Sequence, residues 1–233
     1  MVHGVNQTRI WEIDFFRGIA IILMVIFHLL YDLAVFYNFS IKYETGLIYY
    51  TGKIAASLFI IVAGISCSFS KNNAIRGIKL IGLGMLIYTV TSVFVPGSNI
   101  IFGILQFLGL SMLLYSLINK LGLYQLFILG TTVIILNSFI SVISMKNNWL
   151  APIGLLGPQF SSVDYYPIIP WFGLFIYGVI FSKLFYREKR SLFKFDLSNN
   201  LLGLLGRYSL LIYLLHQPII LLILFLIDIL IKL

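Results

Sequence analysis

Seven stretches of the chain are apolar over lengths that suit a bilayer, near residues 14–36, 47–69, 76–95, 100–118, 123–144, 167–185 and 203–229. A crossing needs about 20 such residues, because a helix rises about 1.5 Å per residue through hydrocarbon about 30 Å thick. The pattern predicts an all-α, polytopic membrane helix bundle of about seven transmembrane helices, with residues 1–233 forming one integral membrane domain. Short polar connections at 71–76, 96–99 and 119–122 join antiparallel neighbours. Neither an internal repeat nor the inverted symmetry of transporters is evident.

The first stretch departs from this apolar pattern. It carries Asp14, Arg17, His28 and Asp32. At about 100° per residue, Arg17 and His28 differ by only about 20°, and both aspartates fall in near register with them. Ionisable groups are costly in hydrocarbon, so such a stripe normally faces a protein interior and marks a substrate or proton path. The plainer alternative is that Asp14 and Arg17 mark the cytoplasmic end while His28 is a satisfied core residue. In the last stretch Ser209, Tyr213, His216 and Gln217 recur at spacings of three and four and form a second polar stripe, followed by Pro218, which can bend the helix. Arg207 lies nine residues before His216, on the opposite face of one continuous helix. His28 and His216 sit about 16 Å and 14 Å beyond Arg17 and Arg207, near or just past the midplane, where they can share a cavity. Gln106 offers an amide inside the fourth stretch beside small residues that allow close helix approach. Asp164, in the polar outer loop, is a candidate for orienting a polar acceptor.

Composition agrees with a membrane class and excludes a soluble domain: 60% of residues are hydrophobic, 10% are charged and mean hydropathy is +1.01. With the N-terminus cytoplasmic, twelve Lys and Arg residues fall on the inner side and only Lys42, Lys53, Lys146 and Lys232 on the outer. The net charge of +8 is therefore a topology signal, and no nucleic-acid module is visible. The longest inner loop, from Lys183, mixes basic and aromatic residues, as an interfacial segment on an anionic leaflet does; an orientation signal explains it equally well. The first stretch is too long and too charged on one face for a cleavable signal peptide, so it is expected to stay in the mature chain. The single cysteine, Cys67, has no disulfide partner and reads as a small apolar residue. No metal-ligand cluster, phosphate-binding glycine loop or serine-nucleophile motif is present, so no metal is expected.

Four stretches, in order, carry a family resemblance. Glu12-Ile-Asp14-Phe-Phe-Arg17-Gly-Ile-Ala-Ile-Ile-Leu-Met-Val-Ile-Phe-His28 resembles the opening of the heparan-α-glucosaminide N-acetyltransferase catalytic-domain family. Its Arg-to-His spacing is similar to the first-helix motif of membrane-bound sugar O-acyltransferases. Residues 102–109, 164–171 and 206–216 resemble further family stretches. The chain departs from the animal lysosomal members, which are longer, have an asparagine where this chain has His28, and carry an active-site histidine after the first helix. Residues 37–53 here contain none.

The resemblance implies transfer of an acetyl group from cytoplasmic acetyl-CoA, acting as acyl donor, to an amino-sugar or hydroxyl acceptor, such as a glycan, on the other side. Under that reading Arg17, with Arg76, Lys79 or Arg207, pairs with the phosphates of the CoA thioester. His28, held by Asp32 one turn later, takes a proton from the acceptor or accepts the acetyl group itself; His216 is the competing catalytic histidine. Gln106, Tyr213, His216 and Gln217 are candidate donors to the developing oxyanion. The expected setting is a multi-pass protein of the plasma (cytoplasmic) membrane, with an oligomer compatible with the sequence. Two other classes remain open: a non-enzymatic transporter or binder of a polar or anionic solute, with the stripe lining its path, and a structural or partner-binding membrane subunit.

Overall fold

The computed structural model describes residues 9–94, 99–197 and 199–232, most of which are helical. Among the described residues the helices are, in order, α1 (Trp11–Tyr37), α2 (Gly46–Cys67), α3 (Asn73–Phe94), α4 (Ile104–Ile118), α5 (Leu123–Ile140), α6 (Ile168–Phe185), α7 (Leu201–Arg207) and α8 (Ser209–Lys232), with a 3-10 turn at Ala151–Ile153. Among the described residues, six helices are long and apolar enough to cross a membrane: α1, α2, α3, α5, α6 and α8. Large apolar side chains stand exposed along them, including Ile78 and Leu86 on α3 and Leu222 and Phe225 on α8. Such surfaces are stable against lipid and not against water.

Two of the seven expected spans differ from their sequence outlines. The fourth is a helix of 15 residues, about 22 Å long and so shorter than the hydrocarbon core. Its start is set by Asp164, whose Oδ2 accepts a hydrogen bond from the Ile104 amide at 3.1 Å, and residues 99–103 bend into that cap through a left-handed Phe102, bonding to Ser162, Val163 and Tyr166. The expected seventh span, 203–229, is two helices. Tyr208 interrupts it at φ −97°, ψ 15°, leaving α7 as a short element capped by Asn200, whose Oδ1 accepts from the Gly203 amide at 2.6 Å.

The chain forms two compact units, one running to Phe59 and resuming at Lys189, the other Ile60–Glu188; the division falls inside α2. In the first unit α1 packs along α7 and α8. The contact with α7 is backbone against backbone: a Cβ on Gly18 would strike the Leu202 carbonyl, and one on Gly206 the Asp14 carbonyl. Glycine is required at both positions by this approach. In the second unit α3 packs on α4 and α5 on α6. There Lys183 Nζ donates to the carbonyls of Asn119 and Leu121 at 2.7 and 2.8 Å, satisfying groups that the end of α4 leaves open. α6 opens through Pro167 and an Ile169–Pro170 peptide bond in the cis form.

The loop before α6 holds two shielded phenols. Tyr165 donates to the Ala151 carbonyl at 2.6 Å, and burial pushes its hydroxyl up to about 12. Burial and the neighbouring Asp164 carboxylate push Tyr166 up as well.

Two outcomes follow from this packing. Gly206→Ala should cost about 1–3 kcal/mol, read as a lower thermal unfolding midpoint in detergent. Gly82→Ala, where a Cβ meets nothing within 4 Å, should be neutral or slightly stabilising. For Tyr165 the folded value lies above the ordinary 10.0, so its contribution to stability is complete below about pH 10 and is lost as the pH rises through about 12. Near-ultraviolet titration should show a late-ionising phenol that Tyr165→Phe removes.

Candidate functional site

The stripe on α1 does turn inward. Asp14 and Asp32 are 2% and 0% exposed, Gly18 and Ile21 are buried between them, and Arg17 and His28 are half-buried. A carboxylate in this setting needs hydrogen-bond donors, because desolvating it without them costs several kcal/mol, on the order of a small domain's whole stability. Each of the two aspartates organises a separate cluster within the first unit.

Asp32 is met from α8. Gln217 Nε2 donates to both of its oxygens, at 2.8 and 2.9 Å. This differs from the expected pairing of Asp32 with His28 one turn before it. His28 is oriented instead by its own helix, its Nδ1 lying 2.9 Å from the Met24 carbonyl. Gln217, a candidate oxyanion donor, spends its amide on Asp32.

The two histidines come together as their depths suggest, with ring centroids 4.8 Å apart and planes at 76°. His216 Nδ1 is 2.6 Å from the Tyr213 carbonyl. A backbone carbonyl only accepts, so in both rings Nδ1 donates and Nε2 is the nitrogen left for a further partner. His216 Nε2 is buried with no hydrogen-bond partner among the described residues. The pair therefore presents two Nε2 atoms not used by the backbone, the atoms that a general base or an acyl acceptor would employ. Tyr213 lies beside His216 at 5.6 Å between centroids, and Phe27 meets the His28 ring edge-on at 5.6 Å. Tyr31, one turn beyond Phe27, stands against Tyr43 at 5.0 Å, extending an aromatic wall that the spacing of ionisable residues does not reveal.

Asp14 gathers cations. Arg9 binds it through Nε and, at 2.9 Å, through Nη2; Arg17 Nη1 lies at 3.1 Å and Arg207 Nε at 3.9 Å. Three guanidinium groups around one carboxylate leave a formal excess of two positive charges. Arg207 reaches this cluster although a continuous helix would turn it away from His216. Beside it Glu12, 1% exposed, accepts the Leu192 amide at 2.7 Å and fastens the basic loop to the start of α1. Arg9 and Glu12 are site-forming residues that the stripe missed, being legible only as charges flanking it.

Four other candidates belong to the second unit. Gln106 Nε2 donates to the Gly84 carbonyl at 2.9 Å, tying α4 to α3. Asp164 caps α4. Arg76 reaches Asn73 Oδ1 at 3.4 Å, and Lys79 is exposed.

The fold and these clusters define a multi-pass integral membrane protein whose first and last long helices share a buried ionisable centre. The family described as Heparan-alpha-glucosaminide N-acetyltransferase, catalytic, matches residues 9–218, and the chain belongs to that family of membrane acetyltransferases. No curated protein and no solved structure matches it.

Gln217→Leu should destabilise the protein by about 1–3 kcal/mol or more, because it strips a buried carboxylate of its donor. Adding Asp32→Leu should recover much of that loss. Thermal unfolding of the two variants side by side measures the difference.

Proposed function

We propose that the chain transfers an acetyl group from acetyl-CoA on the cytoplasmic side to an amine or hydroxyl of a sugar acceptor reached from the other side. One observation carries this reading: two imidazoles, 4.8 Å apart, each held through Nδ1 by a backbone carbonyl so that Nε2 is left for chemistry. Support for the orientation comes from the bias of Lys and Arg toward the side of Arg17.

The donor is drawn by the excess positive charge around Asp14. Arg17 and Arg207 pair with its diphosphate through their guanidinium forks. The pantetheine arm then runs outward along α1, over the rise of about 16 Å from Arg17 to His28, and delivers the thioester carbon to the histidines.

From there the chemistry has two forms that differ in one step. In the direct form, Nε2 of one histidine takes the proton from the acceptor nitrogen or oxygen as that atom bonds to the thioester carbon; the carbon–sulfur bond then breaks, and the CoA thiolate recovers the proton from the ring. In the two-step form, Nε2 bonds to the thioester carbon as the carbon–sulfur bond breaks and CoA leaves as thiolate; the acceptor nitrogen or oxygen then bonds to the acetyl carbon as the carbon–Nε2 bond breaks, and the proton that the acceptor gives up passes through the other imidazole to the thiolate. The Tyr213 hydroxyl, on a ring 5.6 Å from that of His216, is a candidate donor to the oxyanion common to both. Asp32, fixed by Gln217, supplies a negative charge that stabilises the ring when it becomes cationic.

Purified protein given labelled acetyl-CoA and glucosamine should release CoA. His28→Ala should slow release about 10²–10⁴-fold while CoA still binds, and His216→Ala run in parallel identifies which ring reacts. Protein-bound acetyl label formed without acceptor supports the two-step form. Full turnover by both alanine variants would end the proposal.

A further inference from the structure

The basic end of the first unit holds an open pocket of about 220 Å³ that the transfer chemistry leaves unused. Its lining includes Arg9, Trp11, Phe193, Lys194, Phe195 and Asp196. Three of these are aromatic: the rings of Phe193 and Phe195 stand 5.7 and 5.5 Å from Trp11 and 5.2 Å from each other. Phe193 and Phe195 are nevertheless 44% and 57% exposed. Trp11 is 7% exposed, and its indole N–H has no acceptor among the described residues. The wall is not a loose loop, because the Leu192 amide between these residues is held by Glu12.

Exposed ring faces, a buried N–H donor lacking an acceptor, a carboxylate and two cations are together the complement of a purine nucleotide. We propose that this pocket takes the adenosine phosphate end of the acyl donor, an assignment that rests on the acetyl-CoA reading and extends it. The base stacks on Phe193 and Phe195. The Trp11 indole donates to a ring nitrogen, and Asp196 accepts from the exocyclic amine. Lys194 pairs with the ribose phosphate, as does Arg9 through the N–H groups that its bonds to Asp14 do not use. The order of groups along α1 matches the order along the donor. Trp11 is about 26 Å of helical rise from His28 and Arg17 about 16 Å, so base, diphosphate and thioester follow one another in the direction that the helix runs.

The test uses the purified full chain and adenosine 3′,5′-bisphosphate as probe, with binding read by equilibrium dialysis. Saturable binding is expected that inorganic pyrophosphate does not match. Phe193→Ala with Phe195→Ala should weaken it about tenfold or more. Lys194→Glu, at an exposed position where folding is not at stake, should weaken it as well. Absence of binding by the unaltered chain, binding undiminished in both variants, or equal binding of pyrophosphate would each overturn the assignment. CoA release is measured on the same preparation. Nucleotide binding without acetyl transfer keeps the pocket and removes the donor chemistry, and transfer without nucleotide binding does the reverse.

Discussion

The structure of the first unit depends on the cost of keeping two carboxylates on the inner face of one apolar helix. Asp14 and Asp32 are both buried, about five turns apart on α1, and hydrocarbon supplies no donors to either. Each must be satisfied by protein. The two demands recruit different kinds of partner. Near the start of α1, where the chain enters its basic segments, guanidinium groups answer Asp14. Deeper in, where a mobile cation would itself be expensive to bury, a neutral amide answers Asp32. The electrostatic character of the two ends follows: a surplus of positive charge at one, and at the other a buried acid held by a neutral donor beside two imidazoles.

Backbone packing makes these pairings possible. Side chains of ordinary size between α1 and α7 would hold Arg207 out of range of Asp14, and the glycines at 18 and 206 remove that spacing. The same economy recurs in the second unit, where Gln106 lies against Gly84. Polar groups inside a membrane protein are thus tied to small residues on the facing helix, and replacing either member of such a pair affects both packing and hydrogen bonding.

How far the sequence could be read depended on the range of each interaction. The inward stripe on α1 was legible because its four members lie within one helix, where angular spacing fixes the face. The meeting of His28 with His216 was legible from depth alone, since both rings lie similar rises beyond an inner arginine. The Asp32 to Gln217 bond was not, because it depends on the rotation of α8 about its own axis, which no local rule sets. The short α4 was hidden for a related reason: an apolar run continues upstream of Ile104, and only the distant Asp164 decides where helix begins. The family resemblance and the match over residues 9–218 agree, yet neither assigns partners to individual side chains.

The interruption at Tyr208 works as a phase shifter. Nine residues of unbroken helix would send Arg207 and His216 to opposite sides, but the change of direction at one residue lets both address α1, the former at Asp14 and the latter at His28. The charged mouth and the deep imidazole pair are thereby kept in rotational register by a single backbone setting. Lengthening the chain there by one residue would advance α8 by about 100° and uncouple the two ends, with every side chain in both clusters still present.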